Sequence, residues 1–115
     1  MIDKVLKMNK SEFGSIVLLK FPFADGVTYK RRPALVLKDF GDGDILVCRI
    51  TSKIYKSKYD IYLNDWEKYG LKLPSVVRIH KMATLEKSMI ETVMGQIDEV
   101  VLNDVKSLYI SIITD

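Results

Sequence analysis

Lys30-Arg31-Arg32-Pro33 sets three consecutive cations before a proline, and Ala34-Leu35-Val36-Leu37 follows as an uninterrupted apolar run. Pro33 fixes its own φ and pushes Arg32 toward extended backbone, so a stiff segment is expected to present the guanidinium at the mouth of a strand. Cations held this way can bind a phosphate or stabilise negative charge that develops during a reaction. The plainer reading is a solvated basic end that protects a sheet edge.

A second basic stretch, Ser52-Lys53-Ile54-Tyr55-Lys56-Ser57-Lys58-Tyr59, contains three lysines, two tyrosines and no acid. Lysines can contact phosphates while tyrosines stack on bases, each stacked base contributing about 1 to 3 kcal/mol. That pattern is the chain's best nucleic-acid feature, centred on Lys53, Tyr55 and Lys56. Tyr59 reads equally well as the start of a strand with Ile61 and Leu63 on its core face. His80, the single histidine, is the only side chain with an unperturbed pKa near neutrality. It is either a proton donor or a partly buried imidazole satisfied by a backbone carbonyl.

The elements that must position these groups read mainly as strands. Ser15 to Phe21 is apolar with little alternation, which implies burial on both faces or a strongly bent strand. Phe23 to Tyr29 is a polar connector with an Asp25-Gly26 turn signal. Ala34 to Lys38 and Ile45 to Thr51 form two further strands about a turn at Gly41-Asp42-Gly43. This hairpin would bring Arg32 and Thr51 to one sheet end, with backbones about 5 Å apart. Asn64 with Glu67 predicts a short helix closed by Gly70, with Trp66 and Leu71 as core residues. Ser75 to His80 alternates as a strand that puts Arg78 and His80 on one face. A last strand is expected near Glu91 to Met94. Asp98 is expected to cap a helix whose apolar stripe is Val101, Val105, Leu108 and Ile112.

Composition limits the rest. A chain of 115 residues with 48% hydrophobic and 29% charged residues is an ordinary single globular domain, here 1–115 with a short extension at 1–12. The extension breaks its apolar residues with charges and lacks a signal-peptide core, so a cytoplasmic location is expected, with no membrane partner. One cysteine and one histidine cannot supply a tetrahedral zinc site, and Asp39, Asp42 and Asp44 have the wrong spacing for a calcium loop. No metal and no cofactor is therefore expected. Cys48 reads as a small buried hydrophobe. Net charge is +3 overall, but residues 1–60 carry 12 cations against 7 anions and residues 61–115 carry 6 against 8. This asymmetry suits a basic face for a polyanion.

Gly14-Ser15-Ile16-Val17, Phe21-Pro22-Phe23, the Lys30 to Leu37 stretch and Ile50-Thr51-Ser52 occur in an order shared with a known family. Gly70-Leu71, Ser75-Val76-Val77-Arg78, Thr84-Leu85-Glu86-Lys87 and Gly95 continue the series. The chain resembles the MazF/PemK group of toxin endoribonucleases from type II toxin-antitoxin pairs, in its PemK-like branch. The resemblance implies a small SH3-like β-barrel, the CcdB/MazF/PemK toxin fold, with a C-terminal α-helix. It further implies a homodimer, an acidic antitoxin partner, and sequence-specific cleavage of single-stranded RNA to a 2′,3′-cyclic phosphate and a 5′-OH. Arg32 and Thr51 match the family's catalytic arginine and threonine, and His80 is added as a candidate for the leaving-group proton. Lys30 and Arg31, Ser52, Lys53, Tyr55 and Lys56, and Arg78 complete the expected RNA-binding set. A guanidinium with a pKa above about 12 is better suited to charge stabilisation than to accepting a proton.

Two departures stand out. Ser15 replaces an aspartate that many relatives have, and His80-Lys81 replaces an Asp-Gln pair. The alternatives are a family member without cleavage that binds nucleic acid or protein, a CcdB-like gyrase poison, and a housekeeping RNA-binding barrel.

Overall fold

The computed structural model describes residues 12–115, so apart from Glu12 the expected N-terminal extension lies outside the described residues. Six strands form one antiparallel sheet: β1 Ser15–Pro22, β2 Tyr29–Asp39, β3 Asp44–Thr51, β4 Asp60–Tyr62, β5 Val76–Glu86 and β6 Ile90–Gln96. A 3-10 turn, Lys87–Met89, joins the last two, and helix α1, Glu99–Thr114, ends the chain. The strand order is β4-β5-β3-β2-β1-β6.

β1 earns its apolar run by serving two cores. Ile16 faces a cluster with Leu35, Cys48, Ile50, Val77 and Ile79, which Val105 of α1 covers. Val17 and Leu19 face a second cluster with Val36, Ile45 and Val47, covered by Leu85, Met89 and Ile90. Burial on both faces explains the missing polar alternation. Cys48 is fully buried and its thiol is pushed up to about 12 by that burial, as a packing residue should be.

The mainly antiparallel sheet with one C-terminal helix is the fold expected from the sequence, although no β4–β6 ladder closes it into a barrel. Residues 64–70 bridge the two edges instead. The short helix expected here is a hydrogen-bonded turn: Tyr69 N–H donates to Asp65 O, Gly70 N–H to Glu67 O and Leu71 N–H to Trp66 O. The last two bonds are those of a Schellman motif, with Gly70 at φ +81° as its C′ residue. Its backbone then presses on β6. A Cβ on Gly95 would stand 2.7 Å from Tyr69 O, and one on Gly70 would stand 2.8 Å from Met94 O. Only glycines allow the seam to close.

Two other boundaries differ from expectation. β2 begins at Tyr29, so the three cations lie within the strand rather than before it. Asp98 occupies the N-cap position of α1 but makes no side-chain cap bond. Its carboxylate instead accepts from Lys68 Nζ at 2.9 Å and Tyr69 Oη at 3.0 Å.

Gly95→Ala would place a methyl against backbone that cannot move without opening the seam, an overpacking cost of about 1 to 3 kcal/mol. Urea denaturation should show this loss, and an unchanged midpoint would mean that the turn and β6 are not tightly coupled.

Candidate functional site

Arg32 and Thr51 come together through strand register. β2 pairs with β3 from Ala34 opposite Arg49, and continuing that register by two residues puts Arg32 opposite Thr51. Pro33, which has no N–H, pairs with Leu18 of β1 at the point where the β2–β3 ladder has not yet begun. Both residues line a cavity of about 340 Å³, together with Arg31, Arg49, Ser52, Lys72 and Ser75. Thr51 Oγ1 accepts the Lys53 N–H at 3.2 Å, which leaves its hydroxyl proton free to donate.

The cations around this cavity are not equivalent. Arg31 donates from Nε to Glu91 at 2.7 Å and from Nη2 at 3.0 Å, a bidentate pair that holds the Glu91 carboxyl below its ordinary range. Among the described residues the side chains of Arg32, Arg49 and Lys72 enter no hydrogen bond or ion pair. Lys30 is exposed one residue before that pair.

The basic loop has a buried anchor. Asp60 accepts Arg78 Nε at 2.9 Å, Ser57 N–H at 3.0 Å and Ser57 Oγ at 2.6 Å, with the two charged side chains only 11% and 1% exposed. Burial raises the Asp60 pKa, but the bonds from Arg78 and Ser57 outweigh it and hold the carboxyl below its ordinary range. The Arg78 guanidinium then lies 3.6 Å from the centre of the Tyr55 ring. Lys53 Nζ also lies 5.0 Å from the centre of that ring, so two cations already contact Tyr55. Lys53 and Lys56 are exposed on the loop that leaves the cavity at Ser52.

β5 is not a simple alternating strand. Its register with β3 jumps from Cys48–Met82 to Arg49–Arg78, so Ile79, His80 and Lys81 form a bulge. His80 there stacks against Tyr59 with ring centres 5.0 Å apart. Its buried Nδ1 has no hydrogen-bond partner among the described residues, so the backbone carbonyl anticipated for it is not there. Burial, followed by the nearby charges of Arg78 and Lys81, pulls its pKa down. His80 lines neither of the cavities that contain Arg32. Arg49, Lys72 and Asp60 were missed from sequence. Arg49 could have been found two residues before Thr51 on the same strand.

No three His, Cys, Asp or Glu side chains are grouped so as to hold a metal ion among the described residues. None of their helices is long and apolar enough to cross a membrane.

A family profile for the PemK-like, MazF-like toxin of type II toxin-antitoxin systems matches residues 12–112. The chain belongs to this family. No curated protein sequence matches it. Among solved structures, it is similar to a MazE-MazF complex from Deinococcus radiodurans at 24% identity and TM-score 0.74, over 90% of this chain and 95% of the other. It is similar to an endoribonuclease from a mycobacterial species at 12% identity and TM-score 0.71, over 90% and 91% of the two chains. A mycobacterial endoribonuclease bound to its cognate antitoxin gives 14% identity and TM-score 0.68, over 90% and 94%. At these identities the likeness is one of fold.

Asp60→Asn should destabilise the protein by about 3 to 5 kcal/mol, because it leaves Arg78 charged, buried and without its partner. The Asp60 pKa is lower folded than unfolded, so this contribution is complete above about pH 3.9 and is lost as pH falls through the folded value. Chemical denaturation of parent and variant between pH 3 and pH 7 tests this. Parallel stability curves would show that the pair does not carry the effect.

Proposed function

We propose that the chain is a single-domain toxin that cleaves single-stranded RNA without a metal ion, at short sequence motifs, and that a cognate acidic antitoxin restrains it. The carrying observation is that Arg32, whose guanidinium has no side-chain partner among the described residues, lines one cavity with Thr51, beside an Arg31 whose charge Glu91 already offsets. The arrangement suits attack of a ribose 2′-oxygen on its own 3′-phosphate. The 2′-O–P bond forms and the P–O5′ bond breaks, giving a 2′,3′-cyclic phosphate and a 5′-OH. Arg32, with Arg49 near it, would stabilise charge on the phosphorane, and the Thr51 hydroxyl would donate to a non-bridging oxygen.

Water takes the 2′-proton and supplies the leaving-group proton in this reading, because His80 lies outside the cavity. Lys30 and Arg31, Ser52, Lys53, Tyr55 and Lys56 would hold the flanking RNA, while Arg78 would shape the loop through Asp60 and Tyr55. The active form is proposed as a homodimer.

Incubation of purified protein with a long RNA in EDTA should yield fragments with cyclic phosphate ends. Intact RNA from folded protein would leave a binding module as the better reading. Arg32→Ala and Thr51→Ala should each slow cleavage about a hundredfold or more, equivalent to about 3 to 4 kcal/mol of transition-state stabilisation, while keeping the parental fold. Cleavage by Arg32→Ala at the parental rate would remove this cavity from the chemistry.

His80→Gln separates the two roles considered for the imidazole. With water as the proton donor, the variant should cleave within a few-fold of parent and keep the same pH-rate profile. A tenfold or greater loss, with flattening between about pH 5 and 8, would return His80 to the chemistry.

A further inference from the structure

Arg32 and Arg49 line a second cleft as well as the proposed catalytic cavity, and the two cavities also share Pro33 and Ile50. This second cleft is about 350 Å³, within the size range of small-ligand sites. Lys30 and Lys81 join the two arginines around it, Phe21 and Leu85 contribute to an apolar floor, and no acid lines it. Among the described residues none of the four cations takes part in a hydrogen bond or ion pair, whereas Arg31, Lys68, Arg78 and Lys87 are each paired with a carboxylate. The four cations of this cleft are thus left open while these others are paired.

We propose that this cleft is a second nucleotide subsite for the same RNA strand, with Arg49 as the guanidinium shared between it and the catalytic cavity. The proposal rests on the ribonuclease reading above. Apolar floor and cationic rim match a polymer carrying one flat ring and one anion per unit. A strand crossing the Arg32–Arg49 wall would set its scissile phosphate on one side and the neighbouring base and phosphate on the other. Arg49 would then bind phosphate at the crossing, and Lys81 the phosphate beyond it. The Ile79-His80-Lys81 bulge would act by carrying Lys81 to this rim.

Two exposed positions, Lys81 and Ala83, line this cleft but not the catalytic cavity. Lys81→Ala removes charge, and Ala83→Trp fills the space without changing charge. The probes are a fluorescein-labelled 2′-O-methyl RNA of twelve mixed-sequence nucleotides and a 2′-O-methyl dinucleotide, both blocked against cleavage. The parent is titrated first, since failure to bind the longer probe would overturn the ribonuclease reading and the subsite with it. With a binding parent, both variants should lose affinity for the longer probe at least fivefold more than for the dinucleotide. Lys81→Ala should also lower the slope of log K against log salt by about 0.7, one single-strand phosphate contact. Equal losses on the two probes, or none, would overturn the subsite while leaving the ribonuclease reading intact. Unchanged RNA affinity with lost affinity for an acidic peptide would overturn it in favour of a protein partner.

Discussion

Tyr69 holds the molecule closed. Its ring is 1% exposed in the main core, its hydroxyl donates to Asp98 at the start of α1, and its backbone carbonyl lies against Gly95 of β6. An open six-stranded order leaves both edges in need of cover, and this one residue ties the bridging turn to the far edge and to the helix. The cavity lined by Arg32 and Thr51 depends on the same seam. Leu71, Lys72, Leu73 and Ser75 follow directly from the turn, Met94 sits on the β6 side, and all five form the wall facing Arg32 and Thr51. Closing the core and walling the cavity are therefore one packing event.

Charge placement gives that cavity its character. Four carboxylates, Glu91, Asp98, Asp60 and Asp39, each take a cation within 3 Å. The Asp60–Arg78 pair is the most buried of them and fixes the base of the loop that follows Thr51. Exposed pairs such as Lys68–Asp98 contribute little stability in water, so their consequence lies more in which cations they leave over. Those left at the clefts include Arg32, Arg49, Lys72 and Lys81. A net charge of only +3 is thereby concentrated where a polyanion would lie.

Much of this was legible in the residues because it depends on local rules. The Gly41–Gly43 turn fixes a hairpin that brings the start of β2 beside the end of β3, and an irregularity between Val36 and Lys38 shifts the register by one so that it continues to Arg32 opposite Thr51. Gly70 served as a C′ residue as its position implied, even though the segment before it made only a turn. The illegible parts are long-range. Asp60 looks like one acid at the end of a basic stretch until strand pairing places it against Arg78. The β5 bulge has no local signature, since Val77, Ile79 and Met82 fit plain alternation poorly but do not announce three extra residues. Arg31 and Arg32 are adjacent and chemically identical, and only the position of Glu91 across β1 distinguishes them.

That distinction shows how the sheet leaves one arginine of a basic cluster without a carboxylate partner. Neighbouring residues in a strand point to opposite faces, so Arg31 and Arg32 meet different partners although both border the same cavity. β6 pairs with β1 and brings Glu91 within reach of Arg31. The β2–β3 ladder meanwhile stops short of Pro33 and leaves Arg32, paired with Leu19 of β1, without a ladder partner on its β3 side. One guanidinium is engaged by a carboxylate and the next is open to a phosphate. The Lys30-Arg31-Arg32 run thus divides its work by strand geometry rather than by residue type, and a shift of one residue in the β1–β2 register would exchange the two arginines.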